Sequence, residues 1–102
     1  MKTVRIHRAA RREFKDALAW YAERNHSLGL RFRDEVLAAI TSAAMNPLRF
    51  PAYLSGTRRV LLKTFPYLVV FIDSEGRIHV VAIAHAKRKS GHWKGRISAG
   101  GS

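Results

Sequence analysis

The residue pattern predicts an α+β domain of order β-α-α-β-β-β, a helical hairpin packed on a mainly antiparallel sheet. Three observations carry that expectation. Apolar residues recur at helical spacing through the first half of the chain and at strand spacing through the second. A segment with prolines at 47 and 51 and a glycine at 56 separates the halves. A short alternating run at the N-terminus adds one strand before the helices.

That first strand is Thr3 to His7, with Val4 and Ile6 on one side. From Ala9 the period changes, and Phe14, Ala17, Leu18, Tyr21 and Ala22 form one stripe of a helix reaching about Asn25. Arg8, Arg11, Arg12 and Lys15 crowd its first turns, where the helix dipole prefers acids. Glu13 and Asp16 offer partial compensation on a solvated face. Asn25 to Gly29 reads as a turn, with Ser27 capping the next helix. Phe32, Val36, Ile40 and Ala43 then mark a second stripe, widened by Leu37 and Ala44 and stopped at Asn46-Pro47. Residues 46–57 read as a loop with Leu48, Phe50 and Tyr53 tucked onto the core.

Beyond the loop, Arg58 to Thr64 places Val60 and Leu62 on one face. Tyr67 to Ile72 is apolar on both faces and suits a central strand, with Pro66 at its start because proline cannot donate to a ladder. Asp73-Ser74-Glu75-Gly76 makes a hairpin turn into Arg77 to Ala84, where Ile78, Val80 and Ala82 alternate with His79, Val81 and Ile83. Residues 1–97 are expected to form a single domain, and 98–102 a flexible tail.

At 102 residues the chain can bury one core. Its net charge of +12, from 19 basic and 7 acidic residues, favours a polyanionic or acidic partner. With no cysteine, disulfides and thiolate metal sites are excluded and a cytoplasmic location is compatible. No apolar run reaches the roughly 18–20 residues of a membrane span. The five histidines do not form a metal site: His79 and His85 stand six residues apart on one strand, without acids nearby. No cofactor motif and no Ser-His-Asp set is present.

The segment 86–96 carries five basic residues and no acid, directly after the strand that ends at His85. His85 suits a general base, a hydrogen-bonding contact or a structural strand end. Arg58, Arg59, Lys63, Arg88, Lys94 and Arg96 suit phosphate clamping or pairing with an acidic peptide. Trp93 suits a stacking platform, or a core plug at one end of the sheet.

Four pieces, in this order, resemble the RelE/ParE superfamily of type II toxin–antitoxin toxins. They are Trp20-Tyr21 in the first helix, Arg58-Arg59 opening a strand, Phe65-Pro66-Tyr67 leading into Leu68-Val69-Val70-Phe71, and an H-x-x-R…W-x-x-R ending. His85, Arg88, Trp93 and Arg96 supply that ending, which is the form common in the ParE-like branch. The resemblance implies a growth-arresting toxin neutralised by a cognate acidic antitoxin, without a cofactor. In the ParE-like branch the target is DNA gyrase; in the RelE-like branch the toxin is a ribosome-dependent endoribonuclease. That second branch places an arginine where this chain has Leu68, and a C-terminal tyrosine that this chain lacks. The ParE-like reading is therefore favoured. Were the chain a ribonuclease, His85, Arg88, Arg59 and Lys63 would be its catalytic candidates. The candidates for target or antitoxin contact are Arg58, Arg59, Tyr67, His85, Lys87, Arg88, Trp93 and Arg96.

Overall fold

In the computed structural model, which describes residues 1–98, four strands form one sheet with a helical pair on one face. The elements are β1 (Thr3–Ile6), α1 (Arg8–Arg24), α2 (His26–Met45), β2 (Arg58–Leu61), β3 (Tyr67–Ser74), β4 (Arg77–His85) and a short α3 (Lys94–Ser98). Sheet order is β1-β4-β3-β2. The last three strands make an antiparallel meander, and β1 joins β4 in parallel. Glu75-Gly76 closes the β3–β4 hairpin, with Gly76 at a φ of 67° that glycine adopts without strain. The expected tail boundary meets α3, which runs to Ser98; residues 99–102 lie outside the described residues.

The turn between the helices is tighter than expected. One residue, Asn25, ends α1 and caps α2, its side chain accepting from Leu28 N–H, so the cap is Asn25 and not Ser27. Gly29 makes that turn possible, because α1 approaches to within 2.7 Å of where a β-carbon would stand. Ala10 and Ala17 of α1, and Phe32, Val36, Ile40, Ala43 and Ala44 of α2, are buried against Val69, Phe71, Ile78, Val80 and Ile83 of the sheet. Leu37 and Leu48, expected on the core, are 51% and 69% exposed, because each lies off the face its segment turns to the sheet.

A second, smaller core covers the opposite face. Trp93, 1% exposed, packs there with Leu68, Val70, Val81 and Ala82, flanked by Tyr53, Ile72 and Ile97. The C-terminal segment thus closes the side of the sheet that the helices leave open. Strand β2 ends at Leu61, short of the expected Thr64, where Lys63 and Thr64 N–H donate to the Glu35 carboxylate instead of to a strand.

Strict alternation fails once. Val70 pairs with Ala82 but Phe71 pairs with Val80, so Val81 is an extra residue, a β-bulge. On the hairpin side of it Ile78 and Val80 face the helices; beyond it Ile83 does, while Val81 and Ala82 both belong to the second core. The bulge therefore moves His85 from the Trp93 face to the helix face.

Candidate functional site

The early end of β1 creates a backbone problem that the site solves. Strand β1 covers β4 only as far as Val80, whose carbonyl accepts from His7 N–H. Past that point the outer edge of β4 has no strand neighbour among the described residues. Ile83 N–H donates to Glu13 at 3.0 Å, and the Val81 carbonyl accepts from Arg96 at 2.8 Å. A side chain from α1 and one from α3 thus satisfy the edge, and they also bind each other.

Arg96 grips Glu13 with both guanidinium arms, each at 2.9 Å. His92 bridges from the Lys89 carbonyl to the same carboxylate at 3.0 Å, and Arg88 approaches at 3.4 Å. The Glu13, His92 and Arg96 side chains are only 13%, 12% and 16% exposed, so the bidentate pair counts for more than a surface ion pair. Burial by itself would raise the Glu13 pKa. Hydrogen bonds from Arg96, Ile83 N–H and His92, with the Arg96 charge, outweigh it and hold the carboxyl below the usual range.

Beside this hub a cleft of about 440 Å³ opens between α1 and the ends of β3 and β4. Trp20, Tyr21, Tyr67, His85 and Arg88 line it with Glu13 and Asp16. Burial raises the Tyr21 pKa; burial, then Tyr21 and Glu13, raise that of Tyr67, so both phenols stay protonated and can donate. His85 stands edge-on to Tyr67, 5.2 Å between ring centres, and its Nδ1 accepts from Lys87 N–H at 3.1 Å. In the neutral ring the proton then sits on Nε2, leaving no free lone pair for general-base work.

The sequence candidates fall into separate places. Tyr67, His85 and Arg88 share the cleft, and Lys87 is exposed at its rim. Arg96 is committed to Glu13, and Trp93 lies in the second core with its surface already covered. Arg58 donates to the Phe50 carbonyl at 2.7 Å. Arg59 stacks over Tyr53, 5.3 Å away, on the Trp93 side of the sheet. Lys63 lines a different groove, between α2 and β2, with Glu35, Arg49 and Leu61. His85, Arg88, Arg59 and Lys63 thus do not converge on one reacting centre.

Glu13 and His92 are the site residues that sequence reasoning passed over. Glu13 reads there as a solvated charge; in the fold it is the point where α1, β4 and the C-terminal segment meet. The available signal was its place at the border of the buried stripe, in a chain with few acids to offset its cations.

A family model for the ParE toxin of the type II toxin–antitoxin system parDE matches residues 4–90. The chain belongs to the ParE toxin family. It is therefore the toxin component of a type II toxin–antitoxin system, which implies a cognate antitoxin. Among solved structures, this ParE-family toxin is similar to a chain of the chromosomal ParDE toxin–antitoxin system from P. aeruginosa, with a TM-score of 0.72 and 15% identity. The match covers 83% of this chain and 96% of that one, and at such identity it speaks to the fold. No curated protein matches the sequence. Among the described residues, no helix is long and apolar enough to cross a membrane, and no group of three or more His, Asp or Glu side chains is placed to hold a metal ion.

Proposed function

We propose that this toxin arrests growth in the cytoplasm by binding and inhibiting DNA gyrase, without a cleavage reaction of its own, until an acidic antitoxin covers it. The observation that carries this reading is the scatter of its cations. Cutting RNA needs a base for the 2′-hydroxyl, fixed cations for the transition-state phosphate and an acid for the leaving oxygen. Here Arg96 is neutralised by Glu13, Arg59 lies on the opposite face and Lys63 sits in another groove. In this reading Tyr67, His85, Lys87 and Arg88, gathered at one end of the sheet, meet the target. Arg58 and Arg59, on the edge strand β2, meet acidic residues of the antitoxin.

The test is supercoiling by purified gyrase across a toxin titration. Inhibition at stoichiometric toxin is expected, and full supercoiling at a large excess overturns the proposal. The presence of His85, Arg88 and two protonated tyrosines in one cleft favours a second reading, the ribosome-dependent endoribonuclease. Messenger cleavage on ribosomes that His85→Ala and Arg88→Ala together abolish would establish that reading in place of the first.

A further inference from the structure

The hub and the cleft leave one strongly charged surface unused. Arg8, Arg11, Arg12 and Lys15 are all exposed on α1, and at 100° per residue they fall within one arc of about 100° on its solvent side. Four positive charges thus stand along about 10 Å of helix axis. Among the described residues none of the four has an ion-pair partner, and the first turn of the helix holds no acid. Charges of this sign oppose the helix dipole and repel one another, so the arrangement costs stability.

Two further features narrow the partner. Between residues 8 and 15 the arc itself holds no apolar side chain. The apolar groove of Phe14, Val36, Leu37 and Ile40 meets it only at Arg11, so an amphipathic acidic peptide anchored there would engage one of the four cations. The arc contains no aromatic ring either; Trp20 lies outside it and is already stacked by the Arg24 guanidinium at 3.5 Å. A single strand would lack a base-stacking platform. A row of four cations, three of them away from the apolar groove and none beside a stacking platform, fits the regularly spaced phosphates of a duplex backbone.

We propose that the solvent face of α1, through Arg8, Arg11, Arg12 and Lys15, binds the phosphate backbone of duplex DNA without reading its sequence. This binding is a property of the toxin by itself and does not depend on the gyrase reading. It would raise the local concentration of the toxin wherever a target works on DNA.

The experiment is fluorescence anisotropy of a labelled short duplex with the purified toxin at several salt concentrations. Four phosphate contacts give a slope of log K against log salt near −3.6, about a hundredfold loss between about 50 and about 200 mM salt. Replacing all four residues by glutamine should remove most of that slope. Each single replacement should reduce it by about one. A control that removes four other cations, Arg31, Arg33, Arg49 and Lys63, should leave binding nearly unchanged; equal loss in the control would reduce the effect to net charge and overturn the proposal. Tighter binding of a single-stranded oligonucleotide at the same salt, or displacement of the duplex by polyglutamate at equal charge, would also overturn it. Circular dichroism on both quadruple variants separates loss of binding from loss of fold.

Discussion

Glu13 concentrates more of the structure than any other charged residue described. Removing its carboxylate leaves Arg96 partly buried with no counter-charge, takes the hydrogen-bond partner of His92 Nε2, and strips a partner from Ile83 N–H. Glu13→Ala should therefore cost about 3 kcal/mol in urea unfolding, the low end for a buried pair because part of the Arg96 guanidinium still meets water. Glu13→Gln keeps two hydrogen-bonding atoms and should cost less. The pH dependence has a definite sign. The folded carboxyl titrates below its ordinary value of 4.5, so its stabilisation is complete above about that pH and is lost as pH falls through the lowered value. The stability gap between wild type and Glu13→Gln should shrink on acidification below pH 4.5, whereas a constant gap would disprove the linkage. Glu35, lowered by hydrogen bonds from Thr64 and Lys63 against its own burial, adds to the slope with the same sign.

Among the elements, the helices were legible in sequence because each carries an apolar stripe of helical period. The two long strands were legible because each is a short apolar run bounded by turn residues or proline. The bulge at Val81 was not, since Val80-Val81-Ala82-Ile83 is apolar throughout and gives no sign of a shifted face. For the same reason the placement of His85 on the helix side was illegible, and with it the cleft. The Glu13 hub depends on three segments far apart in the chain, so no local pattern announces it. The helical hairpin was visible but its closeness was not. Gly29→Ala improves intrinsic helix propensity by about 1 kcal/mol. It also drives a methyl to 2.7 Å from Ala22 Cβ and 2.9 Å from Ala22 Cα, and the backbone there cannot yield without separating the helices. Overpacking of this kind typically costs about 1–3 kcal/mol, so the net effect should be a lower melting temperature. The double variant with Ala22→Gly should recover part of the loss, because one of the two clashing carbons is then gone.

At the scale of the whole molecule, the sheet is closed on both faces by chain segments with different duties. The helical pair closes one face and presents the basic arc; the C-terminal segment closes the other and presents Lys87 and Arg88. If Lys87 and Arg88 meet the target as proposed, target contact and folding are joined in the last dozen described residues. Trp93→Ala opens the second core and should cost about 3–5 kcal/mol, comparable to the total stability of about 5–15 kcal/mol typical of a domain. Truncation after Ala86 removes Trp93, His92 and Arg96 together, and exposes Leu68, Val70, Val81 and Ala82. Both changes should abolish toxicity by unfolding the protein, visible as loss of near-ultraviolet dichroism and of the cooperative melt. Lys87→Gln with Arg88→Gln removes only the half-exposed Arg88 contact with Glu13 and should leave the melt within about 1 kcal/mol while weakening gyrase inhibition if the proposed function holds. A truncated chain that still melts cooperatively would show that the sheet does not need its second cover. A double glutamine variant that inhibits gyrase as well as wild type would move the target contact away from this end of the sheet.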